Sequence, residues 1–384
     1  MTDKPQPDAA MQVTVHSLYH SGRLKKVTLL IGLTFILLAA IIHAACSGSV
    51  PISVHDTFVV TAQGLKDALS HLFPPLASLV PVSIPPPDNP QAALIVIGFR
   101  FPRILLAVLT GLSLAVAGTV MQGLLRNPLV SPFTLGLSSA ASLGAAIAIV
   151  IGPAIFGGLF ATTGDDVFII IMAFLFGWLS MLLVYAISRS RGTSQSMLIL
   201  AGVVIGYIFQ AGVLGMKYIS SNDRLRDLVV WLMGGMWGAS WNAVIILTPL
   251  CLGCFIVLEL MAWDLNTLAS GDDVAKSMGI NVERLRLTGL MIATFAASCC
   301  LAFTGIIGFI GLMAPHICRM LIGNDHRYLI PCSALLGASI LLISDTVART
   351  IASPVEIPVG IIMYLIGGFF FLFLILRGRG RGLY

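Results

Sequence analysis

Charged side chains are scarce in this chain: 22 Lys and Arg and 17 Asp and Glu among 384 residues. Each cluster of them is therefore a candidate for chemistry. The densest polar stretch runs from Trp263 to Arg286, WDLNTLASGDDVAKSMGINVERLR. Asp264 or Asn266 could cap one short helix there. Ser270 or Gly271, with Asp272 and Asp273, could start a second that runs to Met278 and stops at Gly279. Two short helices across such a stretch form either a docking element for a soluble partner or a solvated loop. A second cluster is basic. Arg100 and Arg103 stand in Phe99-Arg100-Phe101-Pro102-Arg103, and Arg349 follows Asp345 by four residues, which puts those two on one helical face. Charge at membrane depth is costly, so these arginines either snorkel to an interface or meet acidic groups.

Catalytic and metal patterns are missing. The dipeptide Gly-Lys never occurs, so there is no Gly-x-x-x-x-Gly-Lys phosphate loop, and neither H-E-x-x-H nor G-x-S-x-G is present. Any work done with ATP must therefore come from a partner. Nearly all of the seven cysteines lie inside apolar blocks, and the C-x-x-C of Cys251 and Cys254 reads as packing. Met121 and Met216 read as packing too, and His316 as a helix-end residue. Buried carboxylates would mark an ion-coupled carrier; Glu259 and Asp345 are the near candidates, both close to span ends.

The elements that must position these residues are membrane helices. Some 57% of the chain is hydrophobic and 10% charged, against about 25% charged in soluble domains. Apolar blocks of about 20 residues span a bilayer. Spans are expected at 27–46, 101–125, 133–152, 167–188, 196–217, 242–261, 286–304, 306–322, 330–349 and 357–376. The fold class is all-α, with about ten transmembrane helices. Residues 1–26 read as a loosely ordered polar tail, and 27–384 as a single membrane domain. Within that domain, 47–91 is a proline-rich outer loop with one short helix near Gln63 to Phe73, and 263–286 is an inner loop. With the N-terminus inside, 15 of the Lys and Arg fall on the inner side and 7 on the outer, so both termini are expected in the cytoplasm. The C-terminal RGRGRG fits positive-inside anchoring, not nucleic-acid binding. Ten spans divide into two inverted halves of five, with Leu109-Thr110-Gly111-Leu112 recurring as Leu287-Thr288-Gly289-Leu290.

Several blocks, in order, resemble the permeases that import iron-siderophores, haem and cobalamin. They include FRFPRILLAVLTGLSLAVAGTVMQGLLRNPLVSPFTLGLSSAASLGA from Phe99, SSNDRLRDLVVWLMGGMWGASW from Ser220, and LNTLASGDDVAKSMG from Leu265. GFIGLMAPHICRMLIGNDHRYLIPCSALLGA from Gly308 and SDTVARTIASPVEIPVGIIMYLIGG from Ser344 complete the set. The resemblance implies the membrane subunit of an ATP-driven importer in the inner membrane. It would pair with a second permease subunit (a homodimer), two cytoplasmic ATPase subunits and a substrate-binding protein outside. It would bind no cofactor itself, the ATP being used by the partner. The cargo would be a ferric siderophore, or else haem or cobalamin. The resemblance implies that Leu265, Asn266, Leu268, Ala269, Gly271, Asp272, Ala275 and Gly279 belong to an ATPase-coupling loop. It further implies that Arg100, Arg103 and Arg349 dock the binding protein. Thr193, Ser194, Gln195 and Ser196 would form a cytoplasmic gate, with Gln195 in place of the smaller hydroxyl residue often found there.

Overall fold

The computed structural model describes residues 9–48, 50, 52–72, 86–155, 165–190 and 194–377, and these are helical throughout their ordered elements. Ten helices cross or enter the apolar layer: α1 (Ala9–Cys46), α3 (Phe101–Leu124), α4 (Leu137–Val150), α5 (Asp165–Ser190), α6 (Gln195–Ile219), α8 (Trp241–Leu260), α11 (Val282–Thr304), α12 (Ile310–Ile322), α13 (His326–Thr350) and α14 (Val359–Arg377). Four more lie at the faces, α2 (Val54–Leu72), α7 (Asn222–Met233), α9 (Ala262–Ala269) and α10 (Asp272–Ser277), and a single helical turn, Gly152–Ile155, follows α4. Eight of the ten are long and apolar enough to span a bilayer alone, whereas α4 and α12 have only 14 and 13 residues.

Those two short helices reveal the internal symmetry. Each is the third of its half, and each follows a non-helical stretch, 125–136 before α4 and 305–309 before α12. Interrupted segments at matching positions are the mark of an inverted repeat. Contacts repeat it: α3 packs along α13, and its counterpart α11 packs along α5.

Hydropathy does not decide which helices lie inside, because lipid is as apolar as leucine; small residues do. Helix α3 is the central one, and most of its length is buried. At Gly118 a Cβ would fall within 1.9 Å of the Gly311 carbonyl oxygen on α12, and at Gly111 within 2.5 Å of the Gly337 carbonyl on α13. Only glycine permits backbones so close, and that closeness recovers dispersion energy over the whole contact.

The faces differ from the sequence expectation in three places. The stretch expected to be a loose tail is helical from Ala9 and continuous with the first span. Its 38 residues reach about 57 Å at 1.5 Å each, well beyond a 30 Å apolar layer. The short helix expected near Gln63 to Phe73 is longer and earlier, α2. It starts where Ser53 Oγ accepts from the Asp56 amide at 2.9 Å, an N-cap. Asp56 in turn accepts from the Asp88 amide at 2.7 Å and ties down the far end of the loop. Finally, the second span begins with a π-helical turn, Leu94–Arg100, that runs straight into α3. Arg100 therefore lies two turns inside a helix instead of at its mouth.

Candidate functional site

Lys26, Arg126, Arg286, Arg319 and Arg327 gather at one end of the bundle, here called the basic face. It is built around α9 and α10. Helix α9 buries Leu265 and Leu268 completely, and α10 buries Ala275. These three anchor the loop, while Ala269, Asp273, Lys276, Met278 and Gly279 face outward. Neither Asp264 nor Asn266 caps α9, whose N-cap is Met261 without a side-chain bond. Asn266 instead reaches α13. Its Oδ1 accepts from the His326 amide at 2.8 Å, and its Nδ2 donates to Asp325 at 2.9 Å. The second helix obeys its sequence signals, ending at Met278 with Gly279 at φ +86°.

Asp325 is the hub of this corner. It caps α13 and takes Arg327 at 2.7 Å and Lys26 of α1 at 3.1 Å. Bonding to Arg327, then to Lys26 and Asn266, holds its carboxyl well below the usual carboxylate range, against the opposing pull of burial. The Arg327 guanidinium lies 4.2 Å from the Trp263 ring centre, a cation–π contact that covers the start of α9.

A second node joins α10 to three other elements. Asp272 Oδ1 accepts from Arg286 Nη2 at 2.9 Å and forms an ion pair with Arg126 Nη2 at 3.0 Å. Arg286 also donates to the Leu124 carbonyl at 3.2 Å, which ties α11 to the end of α3. Of the residues expected at a gate, Thr193 lies outside the described residues. Ser194 caps α6 by accepting from the Met197 amide at 3.2 Å, Ser196 is exposed, and Gln195 stands beside Arg126 and Arg286.

The three arginines named for the opposite face converge there, each on acceptors within the chain. Arg100 is 5% exposed and donates to the carbonyls of Ala45 (2.6 Å), Cys46 (3.2 Å) and Val50 (2.5 Å). Arg349 is equally buried and donates to the Ala44 carbonyl at 2.5 Å. The last carbonyls of a helix have no partner within it, and its C-terminal end attracts cations, so these two arginines cap α1. Gly48 leaves room for this, since a Cβ there would sit 2.8 Å from Arg100 Nη2. Arg103 grips the fully buried Asp345 through Nε (3.1 Å) and Nη2 (2.9 Å), a two-pronged pairing. Its Nη1 donates to Glu356 at 2.7 Å. The local pair of Arg349 with Asp345, suggested by spacing, is present but long, at 4.0 Å.

Other sequence candidates find packing roles. Cys251 lies 3.6 Å from Cys300 sulfur to sulfur, and the seven cysteines are all free thiols. Met121 is fully buried, and Met216 packs near Leu228. His316 is not at a helix end: it lies in the middle of α12, its ring against Phe370 and Phe371 of α14. Sequence reasoning missed the outward residues Trp263, Val274 and Met278. The loop also carries Leu265 and Leu268, so its composition did not separate the outward apolar residues from the buried ones. A cavity of ≈ 210 Å³ opens between α4 and α6, lined by Thr134, Ser139, Tyr207 and Gln210 among others. That is below the roughly 300 Å³ at which drug-sized ligands are accommodated.

Known proteins match this architecture. The chain is 41% identical over 283 residues to the hemin transport system permease of Yersinia pestis, covering 74% of this chain and 83% of that one. It is 39% identical to the Fe(3+)-citrate import system permease of Bacillus subtilis, over 72% of this chain and 80% of that one. The molybdate import system permease of Haemophilus influenzae shares 35% identity, with 77% and 85% covered. A solved inward-facing ABC transporter of metal-chelate type superposes with a TM-score of 0.73 at 30% identity, covering 91% of this chain and 99% of that one. The FecCD transport family model matches residues 36–377. With ten membrane helices in two inverted halves and a helical loop braced at the basic face, this chain belongs to the FecCD transport family, the membrane permeases of ABC importers.

Proposed function

We propose that two copies of this chain form the membrane channel of an inner-membrane importer for a ferric chelate, with the basic face in the cytoplasm. Two ATPase subunits bind that face, one at each α9–α10 loop, and a substrate-binding protein delivers cargo to the opposite face. The observation that carries this reading is the construction of the loop. Its inner side is fixed by Leu265, Leu268, Ala275 and the pairs of Asp272 and Asn266. Its outer side presents Val274 at 46% and Met278 at 69% exposure. Exposed apolar groups on a rigid base suit a partner that both grips and pushes.

The chelate cargo is supported by the hemin and ferric-citrate relatives. An ion-coupled carrier would need a carboxylate free to take up a proton within a span. Of the two candidates, Asp345 is clamped by Arg103, whereas Glu259, in the last turn of α8, keeps one carboxylate oxygen buried without a hydrogen-bond partner among the described residues. The ATP-driven reading is supported by the loop and by the relatives. At the opposite face we propose that docking acts through Arg103. An acidic group of the binding protein would replace Glu356, which is 35% exposed at the rim, while Arg100 and Arg349 hold α1 in place.

The test is co-purification of the ATPase subunit with the intact chain in detergent, followed by ATP-dependent uptake of haem and ferric citrate into proteoliposomes. Capture of the ATPase, its loss in Val274→Asp and Met278→Asp, and ATP-dependent uptake of one chelate are expected. Uptake driven by a proton gradient without any ATPase would refute the proposal.

A further inference from the structure

The first turn of α6 is tied to the loop by a chain of side chains that passes through four elements. Asp272 begins α10. Arg286 lies in the first turns of α11, and Arg126 follows the end of α3. Gln195 opens α6. Turned so that its amide oxygen faces the two guanidiniums, Gln195 accepts from Arg286 Nη2 at 2.7 Å and from Arg126 Nε and Nη2 at 2.9 and 3.0 Å. The opposite orientation would set its amide nitrogen against donors alone, so the hydrogen bonding assigns it. One carboxylate thus serves two arginines, and the neutral amide takes the donors left over.

The backbone at Arg126 marks the same place. The Asn127 amide bonds the Gln122 carbonyl at 3.2 Å and the Arg126 amide bonds that of Gly123 at 3.3 Å, the paired closure that ends many helices. In this closure one residue takes a left-handed conformation, and glycine does so at least cost. Here it is arginine, at φ 40°. A non-glycine residue held in this region costs on the order of 1 kcal/mol, and such outliers gather at switch regions. What the arginine provides is its reach to Asp272 and Gln195.

Helix α6 is arranged to respond. Leu198, Ala201, Gly202, Ile205, Phe209 and Val213 are buried along one side, while Leu200, Val204 and Tyr207 on the other are exposed. A helix packed on one side has fewer contacts to break when it swings.

We propose that Asp272, Arg126, Arg286 and Gln195 form a latch through which displacement of the α9–α10 loop reaches the start of α6. This rests on the ATPase-docking reading above. Movement of Asp272 takes both guanidiniums with it and strips Gln195 of its donors. A shorter hydroxyl at position 195 would not span the gap, and a carboxylate there would hold both arginines too strongly to let go.

The test uses the chain assembled with its ATPase in proteoliposomes. Ser196, exposed one residue beyond the latch, is replaced by cysteine and labelled with a maleimide. Peptide mass spectrometry separates this site from the seven native cysteines. Labelling at 196 should change about fivefold or more between the nucleotide-free and ATP–vanadate states. In Arg126→Gly and Gln195→Ser the change should fall below about twofold, while ATPase still co-purifies. Arg126→Gly relieves the left-handed strain, so its melting temperature should not drop, which separates latch from fold. An unchanged nucleotide response in both variants overturns the latch and leaves the importer reading intact, as does a lack of response in the parent with ATPase bound. Failure of the parent to bind any ATPase overturns both.

Discussion

Arginines organise both ends of this molecule, and they do so in opposite ways. At the face of α2, Arg100 and Arg349 are buried and Arg103 is nearly so, and each is matched to acceptors that are themselves fixed: the last carbonyls of α1 and the buried Asp345. At the basic face, Arg126 and Arg286 share a single oxygen of Asp272, which is 29% exposed, and lean on a neutral amide. The first arrangement is the drier, with its central carboxylate fully buried; the second shares one partly exposed carboxylate oxygen between a buried arginine and a half-exposed one. Buried pairs are expensive to break, whereas partly exposed ones exchange partners at little cost. The difference suggests which end is a fixed frame and which can rearrange during a transport cycle.

The sharpest way to break this comparison is Arg103→Ala. It leaves Asp345 charged, buried and without its main partner, and the loss should be about 3–5 kcal/mol. Thermal unfolding in detergent reads it directly. Asp345→Asn in the same background should recover much of the loss, because the uncompensated charge is then gone. A melting temperature unchanged by Arg103→Ala would mean that the end at α2 is no more fixed than the basic one. Next in size is Arg100→Met, which keeps an apolar stem but strips three carbonyls of their donor. About 2 kcal/mol is expected, with hydrogen exchange rising at residues 44–50. Asp272→Asn should cost less, about 1 kcal/mol or below, since water can replace part of what is lost. Its larger effect is expected in the nucleotide response of α6 and not in melting.

The membrane character, the ten helices, the α9–α10 loop and its closing glycine were all legible in the sequence, because long apolar runs, capping residues and glycine act locally. The depth of Arg100 was not read correctly. The prolines before it suggest a loop, yet Ala92 to Gly98 is an apolar run that continues the helix outward past the arginine. Nor does hydropathy tell α3, buried on all sides, from α1 and α14 at the periphery; contacts such as Gly118 with Gly311 tell them apart, and those are long-range. The partners of the arginines are long-range as well. Arg103 finds Asp345 across 242 positions, and Arg349 finds Ala44 across 305. Periodicity within one helix reveals only the weaker local choice, the 4.0 Å contact of Arg349 with Asp345.

The smallest effect at neutral pH concerns Asp325, which lies at the basic face yet is built more like the cluster at α2. Arg327, Lys26 and Asn266 all bond it, and its side chain is 17% exposed. Because its folded pKa is depressed, the stability it contributes is fully present above the ordinary Asp value of about 3.9. That contribution falls away as acid protonates the folded carboxylate. Between about pH 5 and 8 the group should therefore give no slope to the melting temperature, and a decline should set in only below about pH 4. Asp325→Asn should remove this group's share of the acid decline, while Asp272→Asn should leave it in place. If instead Asp325→Asn keeps the full acid decline, the hub is no firmer than the latch beside it, and the fixed part of the molecule ends short of the basic face.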